Sequence, residues 1–123
     1  MSWAPSNGMV LSFARGRARR IARELIDLEF ELDVEELTVN GALRLLRAHR
    51  DVLRREIDRR IRTLAELLPA LDPADALRAV IADTCRSYHA RRAVALEDEP
   101  NPEIDWALAL HALETAVAPR AYR

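Results

Sequence analysis

The sequence predicts an all-α fold of four main helices, and three observations carry that prediction. Residues 42–68 hold neither glycine nor proline and stop at Pro69. Along the whole chain, apolar residues return every three or four positions, the period of helices buried on one side. Only three glycines occur in 123 residues and β-branched runs are few, which argues against sheet. Short connections between the helical stretches favour an up-down bundle. The length sets a prior of one domain over 1–123, with flexible tails at 1–8 and 118–123.

Pro5, Ser6, Asn7 and Gly8 are turn residues, so the chain is expected to open with a tail. Trp3 in that tail reads as either loose or an anchor onto something else. The first helix is expected from about Met9 to Leu32. Leu11, Ala14, Ala18, Ile21, Leu25, Leu28 and Leu32 form its heptad seam, and Gly16 weakens its start. Ile26 and Phe30 lie off the seam, one turn apart, as a second and smaller strip. Residues 33–41 read as a connection with one turn at Glu35–Leu37, and Thr38 or Asn40 as the cap of the next helix.

The central helix, Ala42 to Leu68, would run roughly 40 Å. Leu43, Leu46, Leu53, Ile57, Ile61, Leu64 and Leu68 fall within a sector of about 80° around its axis. Arg44, Arg55, Arg59 and Arg62 lie opposite. Arg50 sits inside the apolar sector, where an unpaired charge is costly, so it is expected to meet a carboxylate or to carry its head out to solvent.

After Pro69, Asp72 reads as the N-cap of the third helix, Pro73 as its first residue and Asp75 as an acid favouring the positive helix end. That helix would turn Leu77, Val80, Ile81, Thr84 and Tyr88 inward and end near Leu96. Glu97 to Pro100 is an acidic linker. The fourth helix restarts at Asn101-Pro102-Glu103 and runs to about Val117 before Pro119. Trp106, Leu110, Leu113 and Val117 make one stripe. Ile104, Leu108 and His111 make another on nearly the opposite side, which marks either a deeply central helix or an interface.

Charge comes in blocks. Residues 1–23 carry five arginines and no acid, residues 24–36 seven acids and no arginine, and residues 44–62 eight arginines against three acids. Pairing the first two helices antiparallel sets acids beside arginines at one end. At the other end it gathers Arg15, Arg19 and Arg20 with Arg55, Arg59 and Arg62 into a basic pole that suits an anionic partner. Against that stand a net charge of −1 and few aromatic residues for base stacking.

All nineteen basic residues are arginine, a bias of GC-rich coding that suggests a bacterial or phage source. One cysteine, Cys85, excludes an internal disulfide. The apolar stretch at the N-terminus precedes the basic residues, the reverse of a secretory signal, and no apolar run reaches the roughly 20 residues of a membrane span. A cytoplasmic protein without a membrane segment is expected.

Chemistry-bearing spacings are sparse. Cys85 and His89 at i, i+4 could share a metal with His111, but no carboxylate partner accompanies them. His111 and Glu114 form H-x-x-E, whereas di-iron bundles use Glu-x-x-His twice. No glycine-rich phosphate loop and no nucleophile–base set is present. Catalytic residues, a cofactor and a metal are therefore not expected.

Arg44-Leu45-Leu46-Arg47-Ala48-His49 is similar to the R-x4-H motif of the HEPN ribonucleases, small α-helical domains in which arginine and histidine act together on an RNA phosphodiester. Here leucine follows the arginine where that family has a polar residue. An unbroken helix would also set Arg44 and His49 about 140° apart. Val52 to Leu68 resembles the first helix of the AroQ chorismate mutases, whose site surrounds a dicarboxylate with arginines and a lysine; this chain has no lysine.

The function expected is that of a non-catalytic helical interaction module, an adaptor or regulatory subunit that binds a protein partner or a second copy. Its candidate anchors are Trp3, Ile26, Phe30, Ile104, Leu108 and His111, with Tyr122 in the C-terminal tail. An arginine-rich nucleic-acid-binding protein is the alternative, and a HEPN-like ribonuclease a more remote one.

Overall fold

A computed structural model describes residues 7–38, 44–93 and 102–118, and within them the chain is four α-helices with no strand. The helices are α1 (Asn7–Thr38), α2 (Arg44–Leu67), α3 (Ala76–Arg92) and α4 (Pro102–Val117). A single 3-10 turn, Leu68–Ala70, follows α2.

The first helix is longer than expected at both ends. Asn7 and Gly8 belong to it rather than to a tail, and residues 33–38 continue it rather than forming a connection. The reason is local. Between Gly16 and Gly41 the sequence offers no glycine or proline to stop a helix. The acids at its C-terminal end oppose the helix dipole, at a cost of only about 0.3–1 kcal/mol each. Thr38 is the last residue of α1, not the cap of α2, and Asn40 lies outside the described residues.

The start of α3 also differs. Asp72, Pro73, Ala74 and Asp75 form a β-turn: the Asp75 amide donates to the Asp72 carbonyl at 2.9 Å, and Pro73 holds the second position. The Asp72 carboxylate accepts from the Ala74 amide at 2.9 Å, inside the turn. Asp75 is the true N-cap, with an extended backbone and a carboxylate accepting from the Leu77 amide at 3.0 Å. The helix ends at Arg92, where Ala93 turns extended, so it stops short of Leu96, which with the acidic linker lies outside the described residues. The fourth helix begins where expected, with Pro102 at its first position and Glu103 and Asp105 complementing the positive end, whereas the expected start of α2 at Ala42 lies outside the described residues.

Side-chain pairs fix the topology. Glu31 meets His49 and Glu24 meets Arg60, so α1 and α2 run antiparallel. Asp58 with Tyr88, and the Ile61 carbonyl with the Cys85 thiol, do the same for α2 and α3. Arg91 with Glu103 pairs α3 with α4. The circuit closes where α1 meets α4: Trp106 bonds Glu29, and Arg23 bonds the Val117 carbonyl. This is an up-down bundle.

The core follows the expected seams. Ala14, Ala18, Ala22, Leu25 and Leu32 of α1 face Leu53, Ile57, Ile61 and Leu64 of α2, Leu77, Ile81 and Tyr88 of α3, and Trp106, Leu113 and Val117 of α4. Three alanines on α1 keep that face thin, so its neighbours pack close. Leu71, after the 3-10 turn, is also buried. Val80 and Leu28, placed inward by periodicity, are only partly covered.

Candidate functional site

Where α1, α2, α3 and α4 come together around Glu29, the bundle holds a polar cluster that the periodic pattern hides. Glu29 lies on the buried face of α1, four residues after Leu25 and three before Leu32, and is only 4% exposed. Its Oε1 accepts from the Trp106 indole at 2.9 Å and from Arg91 at 3.2 Å; Oε2 is buried and accepts no hydrogen bond from the described residues. Burial raises the Glu29 carboxyl above its ordinary value, against the opposing pull of Trp106 and Arg91. Arg91 also bonds Glu103 at 3.0 Å and lies over the Trp106 ring. Burial would pull its guanidinium down, yet the bonds to Glu103 and Glu29 outweigh that and the net shift is upward.

Beside it is a second knot. The Tyr88 hydroxyl donates to Asp58 at 3.0 Å and accepts from Arg92 at 3.0 Å, and Arg62 reaches the other oxygen of Asp58. Tyr88, Asp58 and Arg92 of this knot, Glu29, Arg91 and Glu103 of the first, and Leu32, Asp51, Arg54, Arg55 and Ile57 line an open cleft of about 790 Å³. Arginines and acids are balanced four to four in its lining; Arg91 pairs with Glu29 and Glu103, Arg92 with Asp58, and Arg54 with Asp51. That mutual pairing is what a structural lock needs.

The buried thiol of Cys85 donates to the Ile61 carbonyl and is pushed up to about 11 by burial, so it is poorly suited to act as a nucleophile or a metal ligand. His89 and His111 are exposed, and among the described residues no cluster of three metal-binding side chains forms.

The expected basic pole is divided. Arg15 bonds Asp75 at 2.8 Å, Arg62 bonds Asp58, and Arg60 pairs with Glu24 and Glu56. Arg19 is half-buried, whereas Arg20, Arg55 and Arg59 are exposed. Arg50 is half-buried; its Nε is covered and bonds no described group. For the ribonuclease-like motif, α2 is unbroken from Arg44 onward, and His49 is exposed, 3.3 Å from Glu31. The side chain of Arg44 lies outside the described residues.

The second stripe of α4 is fully outward. Ile104 and Leu108 are 58% and 63% exposed, and Phe30 on α1 is 69% exposed with Val34 one turn further on. The two α1–α4 bonds set the register: Glu29 is level with Trp106, so Phe30 lies level with the segment that carries Ile104 and Leu108. Ile26, expected with Phe30 as an anchor, is half-buried and packs partly against the core. His111 is exposed one turn beyond Leu108, and Trp3 and Tyr122 lie outside the described residues. Among those residues, no helix is long and apolar enough to cross a membrane. No family model, no curated protein and no solved structure matches this chain.

Proposed function

We propose that this chain is a non-catalytic helical interaction module, an adaptor or regulatory subunit that docks a protein partner on the outward face of α1 and α4. The observation that carries the reading is the group Phe30, Val34, Ile104 and Leu108, large apolar side chains exposed at matching levels on two paired helices. Scattered single apolar residues on a surface need no explanation, but a set aligned across two neighbouring helices does. Tight internal pairing of the polar cluster supports the same reading, because it commits those charges to holding the bundle. As part of this proposal the protein works in a bacterial cytoplasm, a reducing setting that suits its single buried thiol.

The test compares the wild-type chain with a Phe30→Asp/Leu108→Asp double variant. Size-exclusion chromatography with light scattering, at low and high salt, reads self-association and carried nucleic acid. Affinity capture reads bound protein. A salt-stable complex made by the wild type and lost in the variant is the expected result. Equal behaviour of the two chains, or a nucleic-acid complex shed at high salt, overturns the reading.

A further inference from the structure

We propose that the bundle is a clamshell: the α1–α2 and α3–α4 hairpins turn about the link between α2 and α3 and are latched at the opposite end by Glu29 and Asp58. The inference is independent of the docking reading. Chain order sets the frame. The polypeptide passes from one hairpin to the other once, through residues 68–75, so the hairpins can part at the far end with every helix intact. Each hairpin is tied internally. Glu24 with Arg60 and Glu31 with His49 join α1 to α2. Arg91 with Glu103, and the Tyr88 and Trp106 rings 5.6 Å apart, join α3 to α4.

The two ends of the seam between the hairpins are built differently. Near the link, Leu64, Leu71, Leu77, Leu113 and Val117 are buried in one core. Arg15 reaches Asp75 there, Arg23 the Val117 carbonyl, and Arg78 the Leu68 carbonyl at 3.2 Å. At the far end the bonds that cross the seam converge on two carboxylates: Glu29 accepts from Trp106 and Arg91, and Asp58 from Tyr88 and Arg92. The open cleft lies along this part of the seam, lined from both hairpins, and interrupts the packing that closes the other end. Apolar burial gains free energy with area, whereas taking carboxylates and guanidiniums out of water nearly cancels their attraction. The far end is thus held more by bonds than by area, and it is the end that yields first. Opening carries Tyr88 and Trp106 away from α2 and α1 and widens the cleft.

The 17 residues of α3 span roughly 25 Å, so a turn of about 15° at the link parts the far end by about 6 Å. Double electron–electron resonance on the full chain reads that distance. In a Cys85→Ala background, spin labels at Val52→Cys and Ala90→Cys span the far end, and labels at Glu66→Cys and Ala79→Cys span the link end; all four positions are exposed. With the latch intact, each pair should give one distance. Asp58→Ala, which frees Tyr88 and Arg92, should add a population longer by about 6 Å to the far pair and leave the link pair unshifted. Glu29→Ala, which frees Trp106 and Arg91, should do the same. Circular dichroism confirms that each variant is folded, and the half-buried Asp58 keeps the test decisive if Glu29→Ala loses its helices. An unchanged far pair in the folded Asp58→Ala chain overturns the latch. Lengthening of both pairs together overturns the hinge, because the bundle would then be loosening as a whole.

Discussion

Glu29 is the residue whose energetics are most finely divided. Its carboxyl is buried with one oxygen accepting two hydrogen bonds and the other accepting none from the described residues, so desolvation raises its affinity for a proton, while Trp106 and Arg91 favour the charged form. Burial prevails, and the folded pKa lies above the ordinary 4.5. Because the folded state then holds the proton more tightly than the unfolded chain, Glu29 contributes its full stability below about 4.5. That contribution falls as pH rises through the interval up to the raised value and is flat beyond it. A Glu29→Gln variant keeps an oxygen for the Trp106 and Arg91 donors and removes the buried charge. Relative to wild type it should gain stability as pH rises from 4.5 to neutral, where it should be equal or better in thermal melts. A variant that instead loses ground as pH rises would show that the ion pair with Arg91 outweighs burial.

At the scale of the element, the start of α3 rests on Asp75. It caps the Leu77 amide and accepts from Arg15 of α1 at 2.8 Å, so one carboxylate joins helix initiation to tertiary contact. Asp75→Ala should cost about 1–2 kcal/mol in urea unfolding, the range of a lost cap. Asp72→Ala, which frees only an exposed turn amide, should cost clearly less; equal costs would return the capping role to Asp72. The sequence shows why these two are easily exchanged: Asp-Pro suits both a capped helix start and a β-turn, and only the Asp75 hydrogen bonds decide. Periodicity made the four helices and most of the core legible, because burial follows a 3.6-residue repeat. The length of α1 was less legible, because acids at its end read as a loop yet are weakly penalised in a helix. Glu29 was legible in position, since it continues the seam of Leu25 and Leu32. Its role was not, because it depends on Trp106 and Arg91, 77 and 62 residues away.

Across the whole molecule, α4 separates what folds the bundle from what the bundle offers to a partner. Leu113 is fully buried and Leu108 is 63% exposed, on one helix and in one residue type. Replacing either with alanine makes the same change in helix propensity, so the difference between the two variants isolates burial. Leu113→Ala removes side-chain volume from the packed centre and should cost about 2–5 kcal/mol, against a total stability of about 5–15 kcal/mol for a domain of this kind. Leu108→Ala should change stability by less than about 0.5 kcal/mol, as exposed substitutions do. Chemical denaturation followed by circular dichroism measures both. A large loss at Leu108 would mean that this leucine is covered within the folded chain, and the outward face of α4 would then belong to the core and be closed to any partner. A negligible loss leaves Leu108 without a part in folding, which is the condition a docking residue must meet.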